Sequence, residues 1–410
     1  MKTDTYSMQI FNIISFNLTY MSDMANLIRL FEAINWLDKK RWEHNGPWPM
    51  DDVVLRNDLT NSQKILIHWL GYIYDRTKNA DVVWKKVTEP ITKLVKDYCA
   101  GNYERVEDLI DKYLLINGKG FGFAADDESV RRTLILLEDY NRNIIEFIVS
   151  KLNILNKNFP NNVGRGITYA LYTLSYDEVG KLKRDDYENK REYLNKIVES
   201  KRIILNDDNK FIEGFKQKSK LWHKRVWAAL RDYKKSPLLK NVFEDGIEDE
   251  EAKEIWRNKF TIDQLELPGD LHNIYFYKIC FKPLIEDLSD EFKFKNSDPA
   301  PSVIREVYNK LIEKGIINKF DFYPEQFDVS VDFSPMMCER EMKFVCNEIC
   351  IFGKSGGHKN ICRPIESYNG TLENTCYAAY RLCGYVVKCE NKNNCPIRNG
   401  KFAGLCKGIQ

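Results

Sequence analysis

Nine of the eleven cysteines fall between Cys338 and Cys406, at 338, 346, 350, 362, 376, 383, 389, 395 and 406; only Cys99 and Cys280 precede them. Thiolates are soft ligands for zinc or iron-sulfur clusters, and paired thiols oxidise to disulfides. Residues 1–20 carry Lys2 and Asp4 and lack a clean apolar core followed by a small-residue cleavage site, so no secretory leader is expected. In a reducing compartment clustered cysteines are more often metal ligands than disulfides, and eleven would leave one unpaired. The cluster is therefore expected to hold metal in a cytoplasmic protein.

Spacing narrows the metal. The tightest series is Cys376-x6-Cys383-x5-Cys389-x5-Cys395-x10-Cys406, with Cys346-x3-Cys350 and Cys362 upstream. Structural zinc sites pair cysteines at short intervals, which only Cys346 and Cys350 satisfy. The wider loops and the Cys395-Pro396 dipeptide are nearer to iron-sulfur ligation. The expected cofactor is a [4Fe-4S] cluster on four of Cys376, Cys383, Cys389, Cys395 and Cys406, with zinc as the alternative. A second site drawing on Cys338, Cys346, Cys350, Cys362 or His358 stays open. The Gly-Lys-Ser at 353–355 lacks the earlier glycine of a phosphate-cradling loop, Glu348 standing there, so it reads as a basic loop.

Charge is segregated. The whole chain is +2, but from 339 to 410 eleven Lys/Arg face six Glu and no Asp, a local charge of +5. A basic surface beside a metal site suits a phosphate backbone. Residues 216–235 interleave Lys224, Arg225 and Arg231 with Trp222, Trp227 and Tyr233. Such a helix could lie along nucleic acid with its aromatics packed inward, or it could be an ordinary basic amphipathic helix.

A third chemical feature is Leu265-Glu266-Leu267-Pro268-Gly269-Asp270-Leu271, followed by a mostly apolar segment at 274–285. A Leu-Pro-Gly turn between helices lets backbone amides and a helix N-terminus face phosphate; a simple interhelical turn is the plainer reading. This stretch resembles a degenerate helix-hairpin-helix element, at about 255–290, of the endonuclease-III-like DNA glycosylase superfamily, whose usual hairpin is Leu-Pro-Gly-Val-Gly. Pro47-Trp48, Asp51-Asp52 and Asp75-Arg76 flanking a long helix are similar to the phage-associated branch that modifies thymine. The resemblance spans about 40–300 plus the tail, whose cysteine series keeps the family's outer gaps of six and five and lengthens the middle one.

The resemblance implies a helical, DNA-acting protein with a structural iron-sulfur cluster. Leu267, Pro268 and Gly269 would contact DNA, and the catalytic aspartate would be Asp287 or Asp290. That carboxylate would stabilise an oxocarbenium-like sugar or activate a nucleophile after base flipping. Leu271 replaces the second hairpin glycine, and the family's Schiff-base lysine has no match near Asn273, so lyase activity is not expected. The rival function is a non-catalytic, zinc-stapled module binding nucleic acid or protein. A radical iron-sulfur enzyme is disfavoured because its Cys-x3-Cys-x2-Cys triplet is absent.

The elements that must position these groups read as mainly α. Apolar periodicity marks helices near 24–37, 62–76, 91–115 and 130–152, and the highly charged stretch 181–201 reads as an exposed helix. The stretch 62–76 is apolar on most sides and predicts a buried central helix, with His68, like His223, read as a satisfied core or surface group rather than a ligand. Acidic residues 126–128 open a helix at its positive end. The glycine runs 118–122 and 164–166 read as turn and loop, the acidic run 244–254 as solvated, and 320–333 as the clearest strand. A helical body of 1–335 and a cysteine-rich segment of 336–410 are expected. No window approaches the ~20 apolar residues of a membrane span.

Overall fold

In the computed structural model the chain divides into two compact units, one of residues 45–265 and one joining 1–44 with 266–410. The structure describes residues 51–74, 80–116, 119–120, 124–176, 187–218, 224–265 and 300–318, with single helical positions at 28, 31 and 35. The expected boundary at 335/336, the strand at 320–333, the hairpin from 266 onward and every cysteine from 280 on lie outside the described residues.

The described residues are mainly helical, as the periodicity predicts. The 45–265 unit is built from α1 (Asp51–Val54), α2 (Asn61–Tyr74), α3 (Ala80–Ala100), α4 (Val106–Tyr113), α5 (Ala124–Leu137), α6 (Ile144–Asn158), α7 (Val163–Ser175), α8 (Tyr187–Asn206), α9 (Asp208–Gln217), α10 (Lys224–Lys235), α11 (Pro237–Asp245) and α12 (Glu250–Asn258). Short 3-10 turns follow α5 (Glu138–Tyr140) and α12 (Ile262–Gln264). Where the glycine-rich turn was expected, Leu115–Ile116 pairs antiparallel with Lys119–Gly120.

α2 is the axis of this unit. Every residue from Ile65 to Tyr74 is buried, and the helix packs against α3, α5, α6, α10 and α11. Its start is set locally by a capping box: Gln63 N donates to Thr60 Oγ1 at 3.2 Å, and Thr60 N donates to Gln63 Oε1 at 2.9 Å. Side chains of Asn143, Asp207, Ser236 and Asp249 likewise cap α6, α9, α11 and α12. α3 stops where Gly101 takes φ +74°, a left-handed conformation that favours glycine.

Three expectations are corrected. Residues 164–166 are not a loop but the first turn of α7. Their glycines permit close packing: a Cβ on Gly166 would lie 2.1 Å from Leu155 Cδ2, and one on Gly164 2.6 Å from Phe260. The acidic run is not wholly solvated, since Glu244 is buried and accepts from Arg257 Nε at 2.9 Å. The charged 181–201 stretch contributes to α8, which is amphipathic, burying Leu194, Ile197, Val198 and Leu205.

In the other unit, α13 (Ala300–Glu313) buries Val303, Ile304, Val307, Tyr308 and Leu311 on one face. The rings of Tyr308 and Phe31 are 6.3 Å apart. Gly315, at φ +66°, terminates α13, with Ile316 N returning to Leu311 O.

Candidate functional site

The titratable groups that the fold gathers most closely are inside the 45–265 unit, where α2 crosses α10. α10 carries Lys224, Arg225, Arg231, Lys234 and Lys235, a composition that signals surface. Yet Arg225 through Tyr233 are all buried. A buried charge is tolerated when it is paired and hydrogen-bonded, and here partners come from distant parts of the chain.

Asp232 is fully buried and is the centre of the cluster. Its carboxylate accepts from the Tyr72 hydroxyl and from Arg231 Nε at 3.3 Å. His68 Nε2 is 3.8 Å from the same carboxylate, and His68 Nδ1 lies 3.4 Å from the Tyr233 hydroxyl. The imidazole is flanked by the rings of Tyr72 and Tyr233, with centroids 4.9 and 5.2 Å away. Burial pushes His68 down to about 3. Asp232 is already satisfied by Tyr72 and Arg231, so it does not hold a proton on the ring, and His68 is neutral at pH 7. Burial likewise raises the Tyr233 phenol well above its ordinary range. Of the two readings open for His68, a core or a surface group, the structure gives the core.

A second knot ties the helix ends. Arg225 donates to Ile73 O, one of the last carbonyls of α2, and pairs at 3.2 Å with Asp126 in the first turn of α5. Its guanidinium lies 5.5 Å from the Tyr176 ring. Tyr74 donates to Asp127 at 2.8 Å. A cation on a helix C-terminus and carboxylates at an N-terminus both complement the macrodipoles, so this knot stitches α2, α5 and α10. Beneath it Ser175 Oγ accepts from Trp69 Nε1 at 3.1 Å and contacts Thr133 Oγ1 at 2.7 Å, while Arg132 donates to Ser175 O.

Two lysines make a third arrangement. Lys151 donates to Leu205 O near the end of α8, among the rings of Tyr140, Phe147 and Phe211. Lys234 donates to Trp256 O at 2.7 Å near the end of α12, beside Trp256 and Phe260. Burial pushes both ammonium groups down to about 8. Each caps a helix C-terminus inside an aromatic cage.

The predicted site residues fare unevenly. Arg225 and Arg231 are 9% and 6% exposed and engaged internally, so the described conformation does not offer them to a nucleic-acid backbone. Lys224, at the start of α10, is half-buried. The inward packing expected of the aromatics is seen for Trp227 and Tyr233. Leu267, Pro268, Gly269, Asp287, Asp290 and Cys376, Cys383, Cys389, Cys395 and Cys406 lie outside the described residues. Sequence reasoning missed Asp232, Tyr72 and Asp126 as partners, because nothing local marks residues 160 positions apart as neighbours. Among the described residues no three His, Cys, Asp or Glu side chains gather to hold a metal ion. No described helix is long and apolar enough to cross a membrane.

No protein-family model, no curated protein and no solved structure matches this chain.

Proposed function

We propose that this chain is a DNA-acting protein of the helix-hairpin-helix base-excision or base-modifying type, carrying a structural [4Fe-4S] cluster. The observation that carries the reading is the cysteine density: nine of eleven thiols in a segment of charge +5, downstream of Leu267-Pro268-Gly269. That donor set fits an iron-sulfur cluster or zinc by its softness. Four of Cys376, Cys383, Cys389, Cys395 and Cys406 would be the ligands, and the cluster would serve as support. Leu267, Pro268 and Gly269 would face phosphates through backbone amides. Asp287 or Asp290 would act on a flipped nucleotide as the carboxylate.

The 45–265 unit supports this reading by its mainly helical build, which the resembling superfamily shares.

Metal analysis with a visible absorption spectrum, on anaerobically prepared protein and on Cys383→Ala, tests the proposal. Iron with a broad visible band, lost in the variant, is the expected result. A colourless protein with stoichiometric zinc replaces it with the non-catalytic, zinc-stapled binding module. Neither metal refutes both. Salt-dependent binding to a DNA duplex is the accompanying expectation, because phosphate contacts release counterions.

A further inference from the structure

Several lysines of the 45–265 unit pair with a carboxylate one helical turn away. Lys93 pairs with Glu89, Lys196 with Glu192 and Lys253 with Glu250, at 3.5, 2.8 and 2.6 Å. Lys216, exposed in the last turn of α9, has Glu213 at the same spacing and does not pair with it. Glu213 instead accepts from Gln217 Nε2 at 3.3 Å, and the Lys216 ammonium lies 5.8 Å from the centroid of the Phe159 ring.

That ring is firmly held. Phe159 ends α6, its N–H returning to Leu155 O, and is half-buried. It meets Phe215 of α9 edge to face, with centroids 5.0 Å apart, and Phe215 lies 5.9 Å from Tyr169 of α7. Gly214 lets α9 come this close, because a Cβ there would stand 2.2 Å from the Tyr169 hydroxyl. Three helices thus support a ladder of rings that runs from the buried Tyr169 to two half-buried phenylalanines, and a long exposed lysine covers the outermost.

The arrangement recurs two residues on, where the Lys218 ammonium lies 5.2 Å from the Tyr172 ring centroid. Lys157, exposed in the last turn of α6 and two residues before Phe159, makes no ion pair among the described residues. An ammonium on an exposed ring is worth about two- to fivefold in an equilibrium constant, whereas a nucleobase stacked on a ring is worth about five- to a hundredfold. A nucleotide therefore displaces the ammonium from the ring at a net gain, and the displaced ammonium meets the phosphate that accompanies the base. An acidic peptide supplies the charge without the stacking face, and a duplex keeps its bases stacked on one another. A single strand is the partner that uses both parts.

We propose that this surface, Phe159 and Phe215 with Lys157, Lys216 and Lys218 around them, binds single-stranded nucleic acid, a base on the Phe159 ring and phosphates on the lysines. It belongs to the 45–265 unit and rests on neither the hairpin nor the cysteine-rich tail, so the outcome of the metal analysis does not bear on it.

The test is fluorescence anisotropy of a labelled oligothymidylate titrated with the full-length protein at several salt concentrations, with circular dichroism confirming the fold of each variant. The Lys157→Ala Lys216→Ala double variant should bind more weakly and lower the slope of log affinity against log salt by about 0.7 per lysine, the value for phosphate contacts on a single strand. Phe159→Leu keeps the apolar volume but removes the stacking face, so it should weaken binding by about fivefold or more and leave the slope as it was. A phenylalanine with a packing role alone would not divide affinity from slope in this way. A wild-type protein that does not bind the oligonucleotide overturns the proposal, as does an affinity unchanged in either variant. A labelled oligoglutamate peptide that loses as much affinity in the double variant as the oligonucleotide does, with neither weakened by Phe159→Leu, overturns it in favour of an acidic peptide. Should Phe159→Leu fail to fold, an unchanged salt slope in the double variant is enough to overturn it.

Discussion

Two places in the 45–265 unit hold arginine in opposite ways. On α10, Arg225 and Arg231 are inside, and each meets a carboxylate, Asp126 and Asp232, that is itself fully buried. At the corner before α6, Arg142 is half-buried and rests on the rings of Tyr98 and Tyr103. The first arrangement neutralises charge and ties helices together; the second fixes a cation in position while leaving its charge in force. The difference teaches that burial of a basic residue says little about its use until the partner is known. A carboxylate partner satisfies the guanidinium edge, whereas an aromatic partner engages its face.

If that contrast is right, the interior should be sensitive to protonation. His68 is held at about 3, against an ordinary value of 6.5. Its folded-state value is depressed, so the unfolded chain binds the extra proton first as pH falls. Stability is therefore full above pH 6.5 and lost progressively down to pH 3, by about 5 kcal/mol when complete. Urea unfolding across that window should show the slope, and His68→Phe should flatten it; an unchanged slope would sink the account of a neutral core histidine.

Removing the anion at the centre of the interior should be nearly as costly. Asp232→Ala leaves Arg231 and the Tyr72 hydroxyl buried without it, and breaking a buried pair in this way costs roughly 3–5 kcal/mol. Chemical denaturation of the two proteins at pH 7 measures the difference. A loss below about 1 kcal/mol, the scale of an exposed pair, would mean the cluster is far wetter than its burial implies.

The smallest effect belongs to the other member of the comparison. Arg142→Gln removes a cation that rests on rings and has no buried counter-charge, so it should change stability by less than about 1 kcal/mol. The same denaturation series supplies this value. A loss matching that of Asp232→Ala would show Arg142 to be a packing residue and erase the distinction.

Much of the fold could be read locally. The apolar run 65–74 announced the central helix, and the acidic residues 126–128 the first turn of α5. The misreadings have one cause. Gly164 and Gly166 look like loop formers in a window of three residues, but Phe260 and Leu155 claim the space a side chain would fill. The basic helix α10 looks like surface until Asp126, 99 positions upstream of Arg225, is brought against it.

The candidate sites divide the same way. The cysteine series and the Leu-Pro-Gly turn are legible because ligand chemistry and turn chemistry are matters of residue type and spacing, which the chain carries in order. The sequence alone thus determined a mainly helical chain, its buried central helix and a thiol-rich basic tail. Only the tertiary structure decided which charges are paired inside and which cations rest against aromatic rings. Pairing energy depends on distance in space, and residues such as Tyr72 and Asp232, 160 positions apart, become neighbours only when helices pack.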